Sequence, residues 1–230
     1  MYFFNLKVRF AAQVSRDPLG SPNMNMTRYS GILLLLLLLV HPEAVSQVPA
    51  VREGDVVFQI LRTGQGPAIQ LATKSRYTHV GIVLLRDECP YVFEAVEPVR
   101  FTALDKWIAR GDKGHCVIKR LRDADSILDV QALARIHSLV TKFEGKHYDL
   151  TFGWSDSTIY CSELVWKLYD RALGIQVGKL RKLRDFDLSS PIVREKMKQR
   201  YGDHVPLEET VVSPADIFDS DLLRTIQTIN

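Results

Sequence analysis

The stretch IYCSELVWKLYD, residues 159–170, decides how the chain is read. Beyond Cys161 the apolar residues Leu164, Val165, Leu168 and Ala172 recur at helical spacing, and Gly174 ends the pattern. Cys161 therefore opens a helix on its inward face, where unpaired backbone N–H groups and the positive end of the helix dipole favour a thiolate. The same groups favour a developing oxyanion. Cysteine is also among the most buried residue types, so the helix by itself does not separate a nucleophile from a packing residue.

A nucleophilic cysteine needs a base. His41 falls in the leader segment described below, and His147 and His204 sit in polar loops. His115 adjoins Cys116 on an expected strand, where neighbouring side chains point to opposite faces. His137 lies off the apolar stripe of a surface helix expected over residues 129–143, which Asp129 caps and Gly145 ends. His79 differs, because it opens the apolar run His79–Leu85. A second run, Tyr91–Val96, contains Glu94, a carboxylate that is costly on a buried strand unless it is paired. If the two runs close as a hairpin with Leu85 opposite Pro90, Gly81 faces Glu94 and His79 faces Val96. His79 and Glu94 then share one face as diagonal neighbours, and a shift of one residue would separate them.

The remaining elements are a strand over Val56–Ile60, a short helix near Ile69–Thr73, one helical turn at Lys106–Ala109 and a strand over Cys116–Leu121. A charged helix follows over Pro191–Tyr201, and a last short one starts at Ser213–Asp216. Strands clustered before and between helices indicate an α+β fold with an antiparallel sheet.

The leucine-rich stretch Ile32–Val40 follows Arg28 and is too short to span a bilayer, which takes roughly 20 apolar residues. It reads as the core of a signal peptide, with Met24 or Met26 a more natural start than Met1. Ala44 and Ser46 offer the small residues that a signal peptidase reads, so cleavage is expected after Ser46. Residues 1–46 are thus an extension and a cleaved signal peptide, and 47–230 one domain exported to the periplasm. The leader holds Lys7, Arg9, Arg16 and Arg28 against Asp17 and Glu43, so most of the formal charge of +3 leaves with it. Nothing in the near-neutral remainder argues for nucleic acid or an anionic membrane surface, and no firm membrane insertion is expected after signal cleavage. No histidine pair or Cys-x-x-Cys spacing suggests a metal, and no cofactor is called for. Cys89, Cys116 and Cys161 are an odd set for an oxidising compartment, with Cys161 the candidate free thiol.

Six segments in order, GDVVFQ, YTHVGIVLL, YVFEAV, KHYDLTFGWSDSTIYCSELVWKLYD, RDFDLSSPIV and LEETVVSPADIF, resemble the YiiX branch of the YiiX/YebB-like hydrolases. These are NlpC-type, circularly permuted relatives of papain. The resemblance implies a permuted papain-like fold with Cys161 as nucleophile, His79 as base and Glu94 orienting the histidine. Tyr160 and Gln59 are weaker candidates for lining the pocket or donating to an oxyanion, and Tyr148 and Asp149 for shaping the loop before the helix. The expected activity is hydrolysis of an amide or ester in a cell-wall peptide or a lipid-like molecule. Phospholipid-dependent acyl transfer, or a non-catalytic binding module on the same scaffold, are the alternatives.

Overall fold

The computed structural model describes residues 50–62 and 64–230. The leader, the apolar stretch and the expected cleavage after Ser46 lie outside the described residues. In chain order the strands are β1 (Val56–Gln59), β2 (His79–Arg86), β3 (Cys89–Glu94), β4 (Arg100–Ala103), β5 (Cys116–Leu121), β6 (His147–Tyr148), β7 (Thr158–Ile159), β8 (Arg181–Lys182), β9 (Thr210–Val211) and β10 (Leu223–Ile229). The helices are α1 (Gly66–Thr73), α2 (Leu104–Arg110), α3 (Ala124–Ile127), α4 (Val130–Phe143), α5 (Cys161–Leu173), α6 (Pro191–Tyr201) and α7 (Pro214–Phe218).

Six strands form one antiparallel sheet in the order β10-β5-β1-β2-β3-β4. Its central strands are covered on both faces, which explains why β1 begins with three consecutive apolar residues and is buried along its whole length rather than alternating. Val56, Phe58, Val80, Ile82 and Phe93 turn to α4 and α5, whereas Val57, Val83 and Val92 turn to Leu104 and Trp107 of α2. A third apolar cluster joins Ala68 of α1 to Val193 and Met197 of α6 through Leu183 and Val211. The arrangement is the α+β, antiparallel-sheet architecture expected from the sequence.

The β2–β3 hairpin closes through Asp87 and Glu88 with Leu85 opposite Pro90. Both turn residues have positive φ, 49° and 62°, as a two-residue hairpin turn whose twist matches its strands requires. Continued to the far end, this register sets Gly81 across from Glu94. A methyl group on Gly81 would stand 3.5 Å from the Glu94 Cβ, but only 2.4 Å from Val92 Cγ1, so glycine is needed where these side chains crowd.

Helix ends follow the sequence signals. Asp129 Oδ1 accepts from Ala132 N–H at 2.7 Å, and Gly174 ends α5 at a φ of 68°. Several elements exceed the sequence expectation, among them α2, which runs over seven residues, and β10, an edge strand at the C-terminus. Both edges of the sheet, β4 and β10, are only partly buried and so lack a clear apolar signature.

Candidate active site

β2 begins at His79, so the imidazole lies at the end of the sheet. There it meets Glu94, the last residue of β3, and Cys161, the first residue of α5. His79 and Cys161 are 4% and 3% exposed, and Glu94 is fully buried. Glu94 would be a costly residue if unpaired. Instead both of its oxygens are fully engaged. Oε2 accepts from His79 Nε2 at 2.6 Å and from Trp107 Nε1 at 3.0 Å. Oε1 accepts from Thr102 Oγ1 at 2.6 Å and from Arg110 Nη1 at 2.9 Å, while Arg110 Nη2 closes a bidentate pair on Oε2.

Burial alone would raise the Glu94 pKa, but the hydrogen bonds from His79 and Arg110 hold the carboxyl down to about 2. Burial alone would lower that of His79, yet its contacts with Cys161 and Glu94 raise it to about 9. For Cys161, burial opposes ionisation. The His79 ring and the backbone N–H groups of Val80 and Ser162 overcome it and bring the thiol below its ordinary range. Glu94 engages Nε2, so Nδ1 is the ring nitrogen left to the thiol. The three groups together favour a thiolate–imidazolium pair resting on a carboxylate.

Cys161 and Ser162 open into a narrow cavity of about 80 Å³ whose walls are largely apolar, among them Ala68, Ile69, Leu183, Phe186, Val193 and Met197. His79 faces a wider groove of about 440 Å³ on the other side, with Thr78, Val96 and Leu150. Gln65, Tyr148, Lys196 and Arg200 line both spaces.

Of the weaker sequence candidates, Tyr160 contributes its ring to the cavity wall, while its hydroxyl accepts from Val212 N–H at 3.1 Å. Gln59 pairs across the sheet with His79 and with Cys116, on the face that holds Trp107. It is fully buried and lines neither space, so the structure does not bring it to the thiol.

Tyr148 stands there instead. The short parallel bridge β6–β7 sets it beside Ile159, and its hydroxyl accepts from Gln65 Nε2 at 2.6 Å while facing Cys161. Burial first, and then the nearby Cys161 charge, push its pKa well above the ordinary phenol value, so it remains a proton donor at neutral pH. Asp149 shapes the following loop, accepting from Thr151 N–H and Oγ1 at 2.7 and 2.8 Å. Cys89 is exposed and Cys116 buried, and the two are not paired. Burial pushes the Cys116 thiol up to about 12.

Residues 50–227 match a family described as "Permuted papain-like amidase enzyme, YaeF/YiiX, C92 family". The chain is 50% identical over 194 residues to the uncharacterized protein YiiX of Escherichia coli (strain K12), an alignment covering 84% of this chain and 94% of that protein. A crystal structure described as that of metalloprotein yiiX from Escherichia coli O157:H7 superposes with a TM-score of 0.74 at 48% identity. It covers 77% of this chain and 97% of the other. Among the described residues of this chain, no group of three or more His, Cys, Asp or Glu side chains is placed to hold a metal ion.

Proposed function

Because the chain belongs to the YaeF/YiiX family of permuted papain-like amidases, we propose that it is an exported cysteine hydrolase that cleaves an amide or ester through a Cys161 acyl-enzyme. The observation that carries this reading is the buried chain of Glu94, His79 and Cys161, with the His79 pKa raised and that of Cys161 lowered.

The Cys161 thiolate attacks the carbonyl carbon, forming a C–S bond as the carbonyl π electrons move to oxygen. That oxyanion is met by the backbone N–H groups at the start of α5 and by the Tyr148 hydroxyl. The tetrahedral centre collapses, and the His79 imidazolium gives its Nδ1 proton to the departing nitrogen or oxygen. Neutral His79 then takes a proton from the water that attacks the thioester. Release of the carboxylic acid restores the thiolate–imidazolium pair. Glu94, itself locked by Arg110, Trp107 and Thr102, fixes the ring and stabilises its protonated form throughout.

The narrow apolar cavity on the Cys161 side favours a lipid-like acyl group over a peptide. The wider groove on the His79 side gives water a path to the acyl-enzyme, which favours hydrolysis over transfer to an amine or alcohol. The apolar stretch Ile32–Val40 and the small residues at Ala44 and Ser46 support export to the periplasm with a mature N-terminus at Gln47.

The test is turnover of octanoyl amides and esters by the wild type and by Cys161→Ala, with mass spectrometry of the protein during the reaction. The wild type gains the mass of the acyl group at Cys161, and the variant neither gains mass nor turns over. Equal turnover by both proteins would sink the proposal. Sequencing the N-terminus of the periplasmic form tests export, with Gln47 expected first.

A further inference from the structure

Two cations stand between the cavity and the groove, and among the described residues neither has an acid in direct contact. Lys196 and Arg200, one turn apart on α6, line both spaces. Lys196 Nζ donates to Gln199 Oε1 at 2.9 Å. Arg200 donates to Gln65 Oε1, and its guanidinium lies 4.3 Å from the centre of the Phe152 ring. Among the described residues, neither makes an ion pair. Tyr148, Tyr201 and Asp149 act on Arg200 only at longer range. A half-buried guanidinium without a carboxylate partner gives up hydration with no full return, a cost usually met by pairing.

The chemistry assigns sides. The acyl carbon bonds to Cys161, which opens into the apolar cavity, and the leaving group takes its proton from His79, which opens into the groove. The cavity is otherwise walled largely by apolar side chains that would exclude a charge, so an anion held by the two cations sits toward the groove and belongs to the leaving group.

Resting on the hydrolase reading, we infer that Lys196 and Arg200 form an anion subsite for the leaving group. The substrates are then acyl amides or esters whose leaving portion carries a carboxylate or a phosphate. Gln199 and Gln65 hold the two cations in place from either side.

The test measures binding to Cys161→Ala by titration calorimetry at low ionic strength, so that turnover does not interfere. N-octanoylglycine, N-octanoylphosphoethanolamine and the neutral N-octanoylglycinamide are compared. At least one anionic ligand is expected to bind tenfold or more tightly than the neutral amide. Lys196→Gln and Arg200→Gln should each narrow that gap severalfold, and the double variant should close it. The tighter of the two anions identifies the source, an acylated amino acid or a phosphorylated head group. Equal affinities for all three ligands, no binding of any, or a gap that persists in the double variant would overturn the subsite. If the double variant fails to fold, Lys196→Gln alone decides the matter. The hydrolase reading stands or falls separately. Binding with a charge preference but no turnover by the wild type would strike that reading and leave the subsite, and turnover without a charge preference would do the reverse.

Discussion

Replacing Glu94 by glutamine tests the catalytic electrostatics at their root. The imidazole is held at about 9, against an ordinary value near 6.5, although burial acts in the opposite direction. One pKa unit corresponds to about 1.4 kcal/mol, so Cys161 and Glu94 together favour the imidazolium by at least about 3 kcal/mol net of burial. Glu94 is one of the two partners that raise it, and a hydrogen bond to a charged group is worth roughly 1.5–3 kcal/mol. Glutamine keeps the shape but cannot accept from Arg110, Trp107 and Thr102 as the carboxylate does. Thiolate formation should therefore need a pH about one unit higher, and alkylation below that midpoint should slow by about tenfold. The assay is the pH dependence of iodoacetamide labelling in a Cys89→Ser background. Cys89 is exposed and would react, whereas Cys116 is buried with its thiol up to about 12 and would not. A labelling midpoint that moves by less than a few tenths of a unit, in a variant still folded by circular dichroism, would refute the reasoning.

The same protonation equilibrium should appear in stability. His79 has a raised pKa in the folded state, so its contribution is fully present below about pH 6.5 and is lost as pH rises to about 9. The lowered Cys161 thiol acts in the opposite direction over the same window, so the effect is read without it. Thermal melts of Cys161→Ala, in which Glu94 still raises His79, should fall by a few degrees as pH rises through the window while those of Cys161→Ala/His79→Gln stay nearly flat, and parallel curves would disprove the link. Gly81→Ala should cost about 1–3 kcal/mol, because the new methyl meets Val92 Cγ1 at 2.4 Å and the Phe93 carbonyl oxygen at 3.1 Å in a region with no free space. Denaturant unfolding checks this, and Val92→Ala added to Gly81→Ala should recover part of the loss.

The parts of the site that depend on local geometry were legible in the sequence. Cys161 could be placed at a helix start because Leu164, Val165 and Leu168 set the period, and the pairing of Glu94 with His79 followed from a short turn between two apolar runs. Parts that depend on how distant elements pack were not legible. Arg110 and Trp107 reach Glu94 only because α2 lies across that face of the sheet, and no period in residues 104–110 announces it. Tyr148 is brought to Cys161 by a two-residue bridge too short to leave a pattern. Gln59 is a candidate oxyanion donor by resemblance alone. It shares the face of its cross-strand partner His79, but its buried side chain lines neither the cavity nor the groove, a difference of reach that strand alternation does not reveal.

The turn at Asp87 and Glu88 lies eight residues along β2 from His79, roughly 25 Å away by the usual strand rise. It nevertheless acts as a parity device for the reaction. Loop length is normally the most permissive variable in a sheet protein, the place where tags, insertions and new termini are tolerated. Here the number of residues in one exposed turn determines whether a carboxylate arrives behind the imidazole or on the opposite side of the sheet. Any engineered opening of this hairpin must conserve the phase of the two strands, or it will silence the enzyme without touching a single residue of its active site.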